Sequence, residues 1–253
     1  MAMQTRQSQR RRQVLSRERI VETAVELLDA AGQDALTVRA VTERLSTGSG
    51  AIYHHVGNMG ELLTAATESV VCGALAARPA PAQAPTAEEG AAAQEIRAVA
   101  LALYDAVCAH AWLATQLAVQ LTRSPWGTVT LRVFESIGRH VRTLGVPRGD
   151  WFAATSTLVH YILGATAQNA QAPGDAGRGT GSGAEPDRAE FLDSASRAWQ
   201  DLDPHEYPFI HDIAEQMRGH DDREQFLTGI DLILAGITAT RPSAGLGRDP
   251  ETG

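Results

Sequence analysis

The 253-residue sequence contains no lysine: all 22 of its basic residues are arginine. Reactions that depend on a lysine amine, among them Schiff-base catalysis and phosphate-binding loops ending in Gly-Lys-Ser/Thr, are excluded by that absence alone. Cysteine is nearly absent too. Cys72 and Cys108 form neither a Cys-x-x-Cys pair nor a disulfide framework, and the start of the chain has no apolar run of signal-peptide type. The expectation is a reduced, cytoplasmic protein whose thiols fill small core spaces. Aromatic residues make up only 5%, and strand-like alternation between regularly spaced turns is missing, which leaves an all-α protein. The longest uncharged stretch, Trp151 to Gly174, has the length of a membrane span, but Ser156, His160, Gln168, Asn169, Gln171 and three threonines make it too polar. No membrane partner is expected, and this helix should be buried nearly all round by its neighbours.

What charge there is lies unevenly. The formal net charge is −8, yet residues 1–56 hold eight arginines against six acids, and the remaining 197 residues hold 14 against 24. Arg6, Arg10, Arg11 and Arg12 crowd into the first dozen positions. A small cationic start on a large acidic body suits approach to an anionic surface while the body stays soluble.

Apolar spacing then outlines the helices. Ile20, Val21, Ala24, Leu27, Leu28 and Ala31 recur with helical period between a Ser16 cap and Gly32. A second, short helix starts at a Thr37 cap and puts Val38, Val41 and Leu45 on one face; after the breakers Ser46 to Gly50, a third carries Ile52, Tyr53 and Val56. The last two read as a helix-turn-helix. A further helix from Asn58 to about Ala77 turns Leu62, Leu63, Ala66 and Val70 inward, and helical patterns recur at 91–108, 112–122, 126–144, 150–171, 187–201, 205–218 and 222–240. The expected organisation is a disordered basic arm over 1–15, a DNA-binding domain over 16–62, a ligand-binding and dimerisation bundle over 63–240 with flexible linkers at 78–90 and 172–186, and a disordered tail over 241–253.

The run Leu36 to Val56, with its core Ala51-Ile52-Tyr53-His54-His55, and the following Asn58-Met59-Gly60-Glu61-Leu62-Leu63 closely resemble the DNA-binding domain of the tetracycline-repressor (TetR) family. Weaker likeness to that family's C-terminal domain appears at His110 to Leu113, Tyr161 to Gly164 and Gly229 to Gly236. The resemblance implies a homodimeric bacterial repressor that binds a palindromic double-stranded DNA operator through its third helix and is released by a small-molecule inducer. By family position, Tyr53 and His55 contact phosphates, Ser49, Gly50 and His54 face the bases, Arg39 reaches in from the second helix, and Thr37 and Thr47 flank them. Gly48, Ser49, Gly50 and Ala51 are small enough for that helix to approach base edges. The family commonly carries lysine where Met59 stands and a basic residue at Gly57. Arg10, Arg11 and Arg12 of the arm compensate by lying along phosphate or entering a minor groove.

For the inducer, seven of the 13 aromatic residues fall between Tyr104 and Tyr161. Flat side chains with one polar edge suit a chamber for a mainly apolar, ring-containing molecule. The expected lining is Tyr104, Trp112, Gln116, Gln120, Trp126, Phe134, His160, Tyr161 and Asn169. The dimer is expected to use the helices at 150–171 and 222–240, with Phe226, Ile230, Ile233 and Ile237 as an apolar stripe and Gly229 and Gly236 permitting close approach. Neither cofactor nor metal is expected: His54 and His55 point about 100° apart on a helix, and His205, His211 and His220 have irregular gaps. Asp105, Cys108 and His110 share one segment without a partner to make a nucleophile site. The alternatives are a helical binding protein or enzyme with a non-functional DNA-binding head, and an architectural DNA protein, which the acidic body opposes.

Overall fold

Helix α1 (Arg17–Ala31) begins at Ser16, whose hydroxyl accepts from the Arg19 N–H at 3.3 Å, and ends at Gly32 with φ 73°. Helices α2 (Val38–Leu45) and α3 (Ser49–Val56) follow, then α4 (Met59–Ala76), capped by Asn58, whose side chain accepts from the Glu61 N–H. Each cap is a short polar side chain satisfying an amide that the first turn leaves unpaired. The remaining helices are α5 (Glu88–Ala109), α6 (Trp112–Arg123), α7 (Thr128–Thr143), α8 (Trp151–Asn169), α9 (Arg188–Gln200), α10 (Pro208–Ile213) and α11 (Asp222–Ala239). This computed structural model describes residues 15–78, 88–170 and 188–239, and among them no strand occurs. The arginines at 6, 10, 11 and 12, the linker at 172–186, most of the linker at 78–90 and the tail at 241–253 lie outside the described residues.

Two cores organise the chain. Ile20, Ala24, Leu28, Val41, Ile52, Val56 and Leu62 centre the head; Ile96, Val99, Val107, Leu113, Leu117, Ile137, Leu158 and Ile162 centre the body. The passage between them falls inside α4, where Ala66 belongs to the head core and Val71 to the body core. One continuous helix therefore joins them, and Trp112 of α6 packs against both.

Several sequence expectations are corrected, among them the thiols as core fillers, since Cys72 is half-buried and Cys108 exposed. Glu88 to Gly90, expected within a linker, belong instead to α5, with Glu88 and Glu89 in the turn where negative charge complements the helix dipole. The helix expected over 205–218 is instead α10 followed by a 3-10 turn over Ala214–Met217, since Pro208 cannot lie in a helix interior and so opens the element. Helix α8 is not buried all round within one chain: Ala153, Thr157, His160, Gly164 and Gln168 form an exposed, uncharged face, and Phe152 beside it is 76% exposed. On α11, Phe226 and Ile230 are buried in the chain's own core and Ile233 and Ile237 pack against it, so this stripe turns inward and Thr228, Leu232, Ala235, Gly236 and Ala239 turn outward.

Gly229 sits where α11 crosses α8, and a Cβ there would lie 1.9 Å from the Tyr161 hydroxyl. The close approach foreseen for this glycine is thus made inside one chain. Arg97 and Asp105 of α5 pair with Asp231 and Arg223 of α11, which consumes charge along the flank of the outward face.

Candidate nucleic-acid interface and ligand chamber

The α2–turn–α3 unit is held from beneath and open above. Thr37 caps α2 by accepting from the Ala40 N–H at 3.2 Å, Ser46 takes the left-handed conformation that ends it, and Val41, Ile52 and Val56 anchor both helices in the head core. The opposite side is bare. Thr37, Arg39, Ser49, Gly50, Tyr53 and His54 are exposed, and Thr47 and His55 are half-buried. Tyr53 is 41% exposed, and the His54 and His55 rings meet edge to face at 5.5 Å. No side chain caps α3, so its first amides have no such partner, and a Cβ at Gly48 or Gly50 would meet nothing within 4 Å. Neither glycine is demanded by packing inside the chain.

The two positions where the family carries basic residues have structural uses here. Gly57 ends α3 at φ 69°, a left-handed conformation that disfavours any side chain, and Met59 packs against the head core. Cations are few: residues 15–66 hold four arginines against seven acids. Arg19, Arg39 and Arg44 pair with Glu22, Glu43 and Glu26, leaving Arg17, at the exposed start of α1, as the cation that sequence reasoning passed over.

The nine residues expected to line a chamber do not come together around one, which corrects that expectation. Tyr104 is buried, its ring 4.9 Å from Phe226, and Phe226 stacks on Tyr161 at 5.8 Å, so the three rings lock α5, α8 and α11. Burial, and then the neighbouring Cys108 thiol, push the Tyr104 hydroxyl up to about 12, with Asn169 acting in the opposite direction; burial also raises Tyr161, whose hydroxyl donates to the Phe226 carbonyl at 3.2 Å. Phe134 stacks on Phe152, and Trp126 and His160 are exposed, Trp126 by 78%. The aromatic surplus brought helices into contact instead of walling a cavity.

Trp112, Gln116 and Gln120 face the head. The Trp112 indole donates to Asp29 Oδ1 at 2.7 Å, and His110 Nδ1 lies 2.7 Å from the same oxygen. The Gln116 amide donates to Gln33 Oε1 at 2.8 Å, and the Gln120 amide to the Thr64 hydroxyl at 3.1 Å. Spaced four apart, the three form one stripe of α6. The adjacent stripe, Leu113, Leu117 and Leu121, turns into the body, where Leu117 and Leu121 join Leu103 of α5, Val133 of α7 and Val159, Ile162 and Leu163 of α8 around an aliphatic cavity of about 10 Å³. That is room for a single water-sized group. Among the described residues, no group of three His, Cys, Asp or Glu is placed to hold a metal ion, and no helix is long and apolar enough to cross a membrane.

Comparison with known proteins agrees with this architecture. Residues 20–66 match the family described as "Bacterial regulatory proteins, tetR family", and residues 84–241 match "Tetracyclin repressor-like, C-terminal domain". The TetR regulator SCO7222 of Streptomyces coelicolor is 54% identical, with a TM-score of 0.78 over 90% of this chain and 100% of that one. ActR of the same organism, solved in complex with actinorhodin, is 25% identical, with a TM-score of 0.70 over 92% of this chain and 100% of that one. The transcriptional repressor DrrR1 of Streptomyces coeruleorubidus is 29% identical over 228 residues, 88% of this chain and 77% of that protein. The chain therefore belongs to the TetR family, as a helix-turn-helix transcriptional regulator with a tetracycline-repressor-like C-terminal domain.

Proposed function

We propose that the protein is a dimeric repressor that occupies a palindromic operator and leaves it when an apolar, ring-containing molecule enters the body. The observation that carries the DNA reading is the bare α2–α3 face, where Gly48 and Gly50 have no partner inside the chain and leave room for base edges. On this reading Arg39 and Thr37 from α2, and Thr47, Ser49, Gly50, Tyr53, His54 and His55 around α3, meet DNA, with Arg10, Arg11 and Arg12 of the arm supplying phosphate contacts. The described head is acidic, so those arm arginines are needed for affinity.

The dimer forms on the outward faces of α8 and α11. Leu232, 70% exposed, and the small residues Ala153, Gly164, Ala235 and Gly236 provide an uncharged surface, and a two-fold axis through it yields a self-complementary contact. Two heads so related read half-sites about one DNA turn apart.

Helix α6 transmits the ligand's arrival. Its aliphatic stripe borders the cavity and its polar stripe grips Asp29, Gln33 and Thr64, so a ligand that widens the cavity moves the stripe that holds the head. The ligand must bind the released form more tightly, because equal affinity for both forms shifts nothing. That ActR was solved with actinorhodin supports a ring-containing molecule. The test is anisotropy titration of the full chain against DNA from its own promoter and against random DNA, with actinorhodin as the probe for release. Preference for the promoter and release by the probe support the reading. Equal affinity for both DNAs would overturn it.

A further inference from the structure

We infer that Glu43 is a positioning residue for sequence reading: its carboxylate holds Arg39 by Nε, so that the outer edge of the guanidinium, Nη1 and Nη2, is presented to a guanine. The inference deepens the reading of Arg39 given above and rests on it. Arg39 Nε donates to Glu43 Oε1 at 2.8 Å, and the two side chains are 86% and 64% exposed. A guanidinium carries its five donors in a rigid fork, so engaging Nε fixes the plane and direction of the rest. The two terminal nitrogens then remain to match guanine O6 and N7.

Helix stability does not account for the pair. Arg39 stands in the first turn of α2 and Glu43 in the last, each at the end where its charge opposes the helix dipole. An acid following a base by four residues is also the weaker of the two orders. Nor does the pair attach α2 to the head, because Arg44 does so through Glu26 of α1 at 3.1 Å. Glu43 is moreover the one acid between Val38 and Val56, on the unit that faces a polyanion. There its charge repels phosphate. That repulsion, with Nε already satisfied, keeps the guanidinium from closing on a backbone oxygen and leaves it for a base edge.

The experiment compares operator with random DNA, and with operators altered one base pair at a time, by anisotropy titration of the full chain. Glu43→Gln is expected to tighten binding to random DNA, since it removes a repulsive charge, yet to lower the operator-to-random ratio roughly two- to fivefold. Glu43→Asp keeps the charge and shortens the reach, so it should lower the ratio without tightening random binding. In an Arg39→Ala background, Glu43→Gln should leave the ratio where Arg39→Ala put it. If Glu43→Gln tightens operator and random DNA alike, the carboxylate is only a charge and the inference is overturned while Arg39 keeps its role. If Arg39→Ala leaves the ratio at its wild-type value, the underlying reading of Arg39 fails and takes the inference with it.

Discussion

Among the described residues the head core gathers ten buried apolar residues, whereas the body core gathers 25. In the head, α2 and α3 have eight residues each and spend one face on the core, and the other face packs against nothing in the chain. In the body, several large side chains meet a partner on another helix: Tyr104 and Tyr161 on Phe226, Trp112 on Asp29, Phe134 on Phe152. On the proposed reading, the head works through side chains that packing leaves free, and the body through shifts of its packed helices. A single lost contact should therefore silence the head outright, while in the body it should alter coupling or assembly.

The largest expected effect tests how little the head can lose. Ile52 is fully buried in the eight-residue α3, and Ile52→Ala should destabilise the head by about 2–5 kcal/mol. Operator binding should vanish while the dimer, sized by light scattering, persists; loss of both together would mean that the two cores fold as one. Next, Gly229→Ala forces a Cβ into the Tyr161 ring and should destabilise the body by about 1–3 kcal/mol in thermal unfolding. Tyr161→Leu in that background should recover part of the loss.

Asp29→Ala leaves the Trp112 indole and His110 without their shared acceptor, at about 0.5–1.5 kcal/mol because both are only half-buried. Its signature should be impaired ligand release with operator affinity close to wild type; unchanged release would remove α6 as the link between the regions. Acid should separate them further. Burial first, and then Arg139, hold His140 of the body below the ordinary 6.5, so the unfolded chain takes up the proton more readily. Stability from this group is full above 6.5 and falls as the pH drops below it, and His140→Gln should flatten that part of the melting-temperature profile. The smallest effect is Gly50→Ala, which meets no neighbour and should stabilise α3 by up to about 1 kcal/mol while weakening operator binding. Undiminished binding would show that the open space at Gly50 is not used.

The head was legible residue by residue, because each of its signals is local. Ser16, Thr37 and Asn58 cap helices within three residues of themselves, and Val41, Ile52 and Val56 reveal the buried side by spacing alone. The body was legible only as helices. The stripe Phe226, Ile230, Ile233 and Ile237 has the same period whether it meets α5 or a partner chain, and period cannot distinguish the two. The aromatic surplus misled for a related reason: a flat ring that closes the gap between helices and one that walls a ligand look alike until the opposing side chain is known. The role inferred for Glu43 has no sequence signal of its own, because it rests on the side-chain hydrogen bond to Arg39.

By itself the sequence determined the helical fold class, the caps, the helix-turn-helix and the acidic body, since these depend on neighbours a few positions away and on net composition. Tertiary structure decided which face of α8 and α11 stays open, that α6 carries a head-gripping stripe beside a cavity-lining one, and that Tyr104 and Tyr161 serve packing. Those outcomes depend on which distant side chain arrives opposite each residue. Helical periodicity names a face, and only the packed neighbour gives that face its use.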